Sequence, residues 1–375
     1  MSRIMRLTAF ALVALCCLGG AVMAQNAPAM QDQEKPQDQF QGKVNVNEVL
    51  LDVLVTDAKG NVIVGLDKND FVVTENGKPV DLTGVTFYSN RQLTQSSPTL
   101  AKQGVSTEQG TEDRYFIFLF DDQKDTALEA PELLSQQLEA GRRARAWMER
   151  ELLPSDWVAV VSYDARLKVQ QDFTRDRKAL AAAVSDAMKG KDRESNYPSR
   201  IDPKKEVSLV AGLPMGTEAL RNRTHSIYDA LQVIADAAGK IRGRKNLLLF
   251  TRGLPGQPDT FAQFLPDSRY FDPTVHALND NNVAAYAIDL TPAGTEHSLS
   301  NTLNRLADDT GGRYFYNITN FATPLKQVSQ ENNGYYLLSY ASEQPAGKSG
   351  FQEVQVKTTN PEFRVKARRG YEYGK

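Results

Sequence analysis

The pattern of hydrophobic and polar positions changes character twice along the chain. From 44 to 89 the apolar positions form short runs rich in β-branched residues, separated by turns such as Glu75-Asn76-Gly77-Lys78. This spacing is typical of a small β unit. From 114 to 332 longer apolar runs alternate with amphipathic stretches, and from 333 to 373 the short runs return. The pattern therefore predicts β, then α/β, then β structure.

The central section predicts a mostly parallel sheet. Tyr115–Phe120, Asn246–Thr251 and Val283–Asp289 are apolar runs of the kind expected for strands that are buried on both faces. Leu167–Phe173 follows its preceding strand after a very short turn, which predicts an antiparallel strand at the edge of the sheet. Because predicted helices separate the other strands, we expect a doubly wound α/β domain over 114–332.

The two flanking β segments are each too small to form a two-layer core alone. We predict that 44–89 and 333–373 form one small all-β sandwich, into which the α/β domain is inserted. The polar segment 90–113, rich in Gln, Ser and Thr, is predicted to be a linker. The charged segment 189–223 is predicted to be either a functional loop or a disordered insertion.

The first residues have the features of an export signal. A basic start precedes the apolar run Ala9–Leu18, and Val22-Met23-Ala24 fits a cleavage site. We predict a signal peptide over 1–24, with an uncleaved membrane anchor as the alternative, and a disordered Gln-rich spacer over 25–43. The cleaved protein would be periplasmic or secreted, with no integral membrane span, because no later segment is apolar for 18 residues.

Composition narrows the classes of function. The chain has 44 Lys+Arg against 46 Asp+Glu, a formal net charge of −2, which argues against a dedicated nucleic-acid binder. No phosphate-binding glycine loop, Gly-x-Ser-x-Gly turn or paired-histidine spacing is present. We therefore expect that the protein is not an enzyme. His225 is predicted to lie near the site described next, whereas His276 and His297 are predicted at the surface.

Polar residues follow the predicted core strands at the edge where sites form in doubly wound sheets. Asp121-Asp122-Gln123-Lys124-Asp125-Thr126 follows one strand, and Thr251-Arg252-Gly253 follows another. Thr224 directly precedes a predicted helix that contains Ala230-Leu231. These segments are therefore expected to meet at the carboxyl edge of the sheet.

At these residues the chain resembles the von Willebrand factor type A (VWA) domain. Four further segments resemble a secreted bacterial VWFA-related family of unknown function: Val49–Gly77, Gly243–Leu247, Leu306–Tyr314 and Val365–Tyr371. The resemblance as a whole covers residues 44–373. The resemblance implies a VWA-like fold and a role in binding a protein or cell-surface ligand.

The resemblance also implies a metal-ion-dependent adhesion site (MIDAS) in degenerate form. Asp121 and Thr224 match its pattern, whereas Gln123 and Asp125 replace two serines and Arg252 replaces an aspartate. Carboxylate, amide and hydroxyl oxygens suit Mg²⁺ or Mn²⁺. A guanidinium at Arg252 would oppose the cation and could instead replace it by forming a salt bridge with Asp121 or Asp125.

Two interpretations of function follow. The first is an exported binding module that acts through its strand-end loops, and the alternative is a metal-independent structural or assembly scaffold of the cell envelope. The C-terminal tyrosines, Tyr314 to Tyr373, are predicted to pack in strands, with a partner- or polysaccharide-binding belt as the alternative. Lys366-Ala367-Arg368-Arg369 is predicted to be a solvated edge strand.

Overall fold

The computed structural model describes residues 44–89, 113–121, 130–191, 207–258, 264–295, 297–345 and 348–374. The predicted signal peptide (1–24) and spacer (25–43), most of the predicted linker (90–113), and the predicted ligands Gln123 and Asp125 lie outside the described residues. No helix in the described ranges is both long enough and apolar enough to cross a membrane.

The strands of the described chain are β1 (Val44–Thr56), β2 (Phe71–Glu75), β3 (Lys78–Val80), β4 (Leu82–Ser89), β5 (Arg114–Asp121), β6 (Asp156–Tyr163), β7 (Leu167–Thr174), β8 (Lys245–Thr251), β9 (Gly256–Pro258), β10 (Phe264–Pro266), β11 (Val283–Asp289), β12 (Arg313–Phe315), β13 (Gly334–Pro345), β14 (Gly350–Thr358), β15 (Arg364–Lys366) and β16 (Gly370–Tyr373). Its α-helices are α1 (Ala130–Arg150), α2 (Arg177–Met188), α3 (Thr217–Asn222), α4 (Ile227–Ala238), α5 (Ser268–Asp280), α6 (Ser300–Asp309) and α7 (Ala322–Glu331). Single 3₁₀ turns lie at Lys68–Asp70 and Val210–Gly212.

The largest sheet has six strands in the order β12-β11-β8-β5-β6-β7. All neighbouring strands are parallel except β7, which pairs antiparallel with β6 at one edge. The predicted α/β class, the mostly parallel sheet and the antiparallel edge strand are therefore confirmed. Side chains of β5 alternate between the two faces: Phe118 packs beneath α1 and α2, and Leu119 packs beneath α4 and α5.

The flanking strands form two further four-stranded sheets, and each sheet contains strands from both ends of the chain. Their orders are β15-β1-β13-β4 and β16-β14-β2-β3. Ten residue pairs join β1 to β13, from Val44–Pro345 to Val53–Tyr336. The two sheets share one hydrophobic core, in which the ring of Tyr336 contacts Phe71 at 5.3 Å.

Charged residues join these two sheets to the amino edge of the parallel sheet. Lys366 donates to Glu331 at 2.7 Å, and Glu331 also pairs with Arg313. Arg368 donates to the carbonyl oxygens of Asn279 and Leu50, at 2.7 and 2.9 Å. The prediction of a solvated strand over 366–369 is therefore wrong, because these cations reach partners on both parts of the fold.

Several local predictions differ from the structure. The β-branched run Val62–Val64 predicts a strand, but it contributes only a single bridge, Thr56 to Val62. The pattern of Phe363–Arg368 predicts one strand, whereas the chain forms the shorter β15 and then β16. Within 189–223, the described part contains a 3₁₀ turn and the helix α3.

Candidate functional site at the carboxyl edge

Asp121 lies at the centre of the carboxyl edge of the parallel sheet. It is the last residue of β5, and its side chain is buried. The hydroxyl of Thr251, at the end of the neighbouring strand β8, donates to Asp121 Oδ2 at 2.5 Å. The Gly253 N–H donates to the same hydroxyl at 3.1 Å, so the Thr-x-Gly turn positions this contact.

Tyr163 extends this arrangement to the next strand. It ends β6 opposite Asp121, and its hydroxyl donates to the His225 carbonyl oxygen at 3.0 Å. Burial, and then the negative charges of Asp121 and Asp229, raise the pKa of Tyr163 to about 12. Tyr163 therefore stays protonated at neutral pH and links the end of β6 to the segment before α4.

Thr224 is fully buried and is bonded within the fold. Its hydroxyl donates to the Leu220 carbonyl oxygen at 2.8 Å and accepts from the Leu167 N–H at 3.2 Å. A cation ligated by Thr224 would compete with these bonds. His225, the next residue, contributes its main-chain carbonyl to this region while its side chain is exposed.

The described residues do not by themselves fit a divalent cation. Asp121 supplies a carboxylate, and Thr224 is bonded to main chain, while Arg252 is half-buried beside Thr251. Across the described ranges, no group of three or more His, Cys, Asp or Glu side chains is arranged to hold a metal ion. Because Gln123 and Asp125 lie outside those ranges, metal binding at this edge stays a prediction.

A second buried carboxylate lies two strands from Asp121 along the same edge. Asp289 ends β11 and is paired in register with Thr251. Its Oδ2 lies 2.7 Å from His297 Nδ1 and accepts from the Tyr314 hydroxyl at 2.7 Å. Its Oδ1 accepts from the Thr291 N–H at 2.8 Å. Burial and the charge of Asp289 raise the pKa of Tyr314, which therefore remains a donor.

This acidic group borders an open cleft of about 530 Å³. The cleft is lined by the loop that follows β11, the first turns of α6, and the end of β12 with the residues after it. Asp289, His297 and Tyr314 all contribute to its lining. Sites of this size and position are common in α/β proteins.

The prediction that His297 lies at the surface is wrong. Its side chain is only 10% exposed, because it folds back from the loop after β11 onto Asp289. His276 is partly exposed, stacks on Phe351 at 4.3 Å and lies 3.3 Å from Glu372. Sequence reasoning missed the pair of Asp289 and His297; the one signal for it was an aspartate that ends a buried strand.

The C-terminal tyrosines separate into two groups. Tyr340 and Tyr371 donate to Glu75 Oε2 inside the sandwich, at 2.6 and 2.8 Å, as expected for strand packing. Tyr314 and Tyr316 instead lie at the cleft, where their rings stack at 5.4 Å. Tyr316 is 67% exposed, so the packing interpretation does not apply to it.

Comparison with known proteins gives distant structural likenesses. No protein-family model matches the sequence, and no curated protein matches it. The human COPII-coat protein Sec24c is similar at 10% identity over 69% of this chain and 44% of that chain, with a TM-score of 0.38. Proximal thread matrix protein 1 from the mussel byssus is similar at 13% identity over 58% of this chain and 47% of that chain, with a TM-score of 0.36.

The protein BatB from Bacteroides thetaiotaomicron is also similar, at 11% identity over 58% of this chain and 96% of that chain, with a TM-score of 0.34. One structure of the mussel protein is described as having a zinc-occupied MIDAS motif. This chain spans less than half of the length of the first two proteins. Likenesses at these scores carry no conclusion about ligands, so the VWA resemblance of this chain rests on its own sequence motifs.

Proposed function

We propose that this protein is an exported, non-enzymatic binding module of the VWA type. In this proposal, the carboxyl edge of its parallel sheet contacts a protein or cell-surface ligand. The sandwich built from both chain ends supports the α/β part from the opposite edge. The predicted export signal and the VWA-like motifs of the sequence support the proposal.

The observation that carries the proposal is the setting of Asp121. A carboxylate that ends a central strand is buried and held by a hydroxyl from the adjacent strand. Gln123 and Asp125 follow Asp121 at the second and fourth positions along the sequence. Such a fixed acidic group, with further oxygen-bearing residues within four positions, suits a bound Mg²⁺ or Mn²⁺ that bridges to a partner.

The alternative is a metal-independent scaffold of the cell envelope. It is favoured by the bonds that Thr224 already makes to main chain and by the permanent cation Arg252 beside Thr251. In that case Asp121 contributes to stability and not to ligand binding. The two functions differ in their response to cations.

Thermal unfolding of Gln25–Lys375 after chelation, and then with Mg²⁺, Mn²⁺ or Ca²⁺, distinguishes them. A cation that binds only the folded state adds about 2.7 kcal/mol at 100 times its dissociation constant, which raises the unfolding midpoint by a few degrees. We expect a saturable rise that Asp121→Ala abolishes. Asp308→Ala, an exposed aspartate at the far end of α6, should retain it.

The absence of a rise with all three cations would contradict the metal-dependent form and favour the scaffold. A photo-crosslinking amino acid at position 252 tests binding at the carboxyl edge independently of metal. A discrete cross-linked product from position 252, but not from position 308, is expected for a binding module. Equal labelling from both positions would count against a binding site at this edge.

A further inference from the structure

The cleft beside Asp289 contains polar groups for which the described residues supply no hydrogen-bond partner. Thr291 is 6% exposed and the His297 side chain is 10% exposed, and both line the cleft. Among the described residues, neither Thr291 Oγ1 nor His297 Nε2 has a hydrogen-bond partner. Buried polar atoms in folded proteins are nearly always paired, so these two atoms indicate a ligand that offers hydrogen bonds.

The chemistry of the two atoms limits what that ligand is. His297 Nδ1 faces a carboxylate oxygen, so a proton is assigned to Nδ1; Nε2 accepts a hydrogen bond in the neutral ring and donates one in the charged ring. The Thr291 hydroxyl can both donate and accept. A ligand hydroxyl group satisfies either atom, because it is itself both a donor and an acceptor.

The charges around the cleft disfavour an ionic ligand. Both oxygens of Asp289 already accept hydrogen bonds, from Thr291, Tyr314 and His297. No lysine or arginine lines the cleft within the described chain. A phosphate or carboxylate would therefore find no permanent cation, and a metal ion would find no open carboxylate.

The remaining lining is rich in uncharged hydrogen-bonding side chains. They are Thr295, Ser300, Asn301, Asn304, Asn317 and the hydroxyl of Tyr316. The Tyr316 ring stacks on Tyr314, with 26° between their planes, and is 67% exposed at the cleft. An exposed aromatic face next to amide and hydroxyl groups matches a sugar ring, which has an apolar C–H face and a polar rim.

We propose that this cleft binds an uncharged carbohydrate, with Tyr316 as the stacking surface and Thr291 and His297 as hydrogen-bonding groups. The volume of about 530 Å³ accommodates one or two sugar rings. The site lies two strands away from Asp121, with β8 between them, and uses neither that residue nor a cation. It adds a ligand class that the VWA resemblance does not provide.

Calorimetric titration of the full-length chain tests the proposal. The probes are five neutral oligosaccharides: cellohexaose, laminarihexaose, maltohexaose, mannohexaose and hexa-N-acetylchitohexaose. A heparin hexasaccharide is the anionic comparison. We expect at least one neutral probe to bind with a dissociation constant below about 1 mM. Absence of binding by all five, or binding of heparin alone, would overturn the proposal.

Three variants locate the binding. Tyr316→Ala should weaken binding about tenfold by removing the stacking surface. Thr291→Val should weaken it by roughly threefold to tenfold, while the unfolding midpoint stays the same or rises, because an unpaired buried hydroxyl is removed. Tyr270→Ala is the matched control, since Tyr270 is 51% exposed and stacks on Tyr228 without lining the cleft.

Unchanged affinity in both Tyr316→Ala and Thr291→Val would place the sugar elsewhere and overturn the assignment of this cleft. Asp121→Ala should leave sugar binding intact. The carbohydrate site and the proposed cation-dependent site can therefore fail separately.

Discussion

The two edges of the parallel sheet hold their buried acids in different ways. At the amino edge, Arg114 and Asp156 form two bonds of 2.6 and 2.7 Å, with side chains 3% and 0% exposed. At the carboxyl edge, Asp121 accepts from the Thr251 hydroxyl, and Asp289 is held by a phenol and an imidazole. A permanent cation therefore pairs with Asp156 at the amino edge, whereas a hydroxyl donates to Asp121, and a phenol and an imidazole contact Asp289, at the carboxyl edge.

This difference separates stability from binding within one sheet. A buried ion pair is costly to break, because the remaining charge is left without compensation. A carboxylate held by a hydroxyl can exchange that partner for a ligand at a smaller cost. The amino edge is thus suited to joining two parts of the fold, and the carboxyl edge is suited to contacts with other molecules.

The largest expected effect concerns the strand pairing that ties the sandwich together beside the amino edge of the parallel sheet. We would introduce a protease site within 90–112 and cut the folded chain there. The fragment that contains 44–89 should stay bound to the rest of the protein, because β1 lies between β13 and β15 and Asp52 bonds to Asn282. Size-exclusion chromatography should recover both fragments together until denaturant is added. Release of 44–89 without denaturant would show that the sandwich does not depend on both chain ends.

The next largest effect is the loss of stability when the buried pair of Arg114 and Asp156 is broken. Asp156→Ala strands the Arg114 guanidinium and removes an acceptor from the Leu153 N–H, so we expect a loss of about 3–5 kcal/mol of unfolding free energy. Glu139→Ala is the control, since its pairs with Arg142 and Arg143 are on the surface of α1 and contribute about 1 kcal/mol or less. If urea unfolding gave equal losses of unfolding free energy for Asp156→Ala and Glu139→Ala, the buried pair would be no more important for stability than the surface pairs.

A smaller effect arises from Lys245, which begins β8 at the amino edge. Burial lowers its pKa to about 8, against 10.5 for an ordinary lysine. Between pH 8 and 10.5 the unfolded chain binds more protons than the folded chain, so stability should rise with pH across this window. The rise for this one lysine is about 3 kcal/mol, and Lys366, with a pKa of about 8, adds to it.

Urea unfolding between pH 7 and 11 measures this rise. Lys245→Met should flatten it, and Lys59→Met, at an exposed turn, should not. Above pH 10 the profile should fall, because Tyr163 and Tyr336, both with pKa values of about 12, keep protons that the unfolded chain releases. A profile that is flat or falls between pH 8 and 10 would contradict the assignment of buried lysines to the amino edge.

The sequence predicted the buried elements well, because their patterns are continuous. The predicted strand Val283–Asp289 has its expected bounds, and the amphipathic pattern of Arg177–Met188 predicts a helix with the bounds that α2 has. The turn at Asn76-Gly77, where both residues have positive φ, was also predictable, since the two residue types favour that conformation. The strand β3 was missed because it is three residues long and contains Pro79.

The candidate site was less predictable, since its contacts depend on loops. Asp121 and Thr251 could be expected to meet, because their strands were both predicted to end at the same edge. Nothing in the local pattern places His297 on Asp289, or Tyr314 on both of them. The cations at 366–369 were misinterpreted for the same reason: a basic run shows its partners only once the sheets are assembled.

The pairing of β1 with β13 also determines when the molecule can be completed. Asn47 donates to Gln344 across 297 residues of intervening sequence. At about 5–20 residues per second, the ribosome needs roughly 15–60 s to synthesise these intervening residues. During this time β1 and β4 lack their shared partner strand β13, although β2 can already pair with β3 and the strands of the parallel sheet are made before β13. A newly made chain therefore carries unpaired strand edges for most of its synthesis, and a factor that shields them would act on residues 44–89.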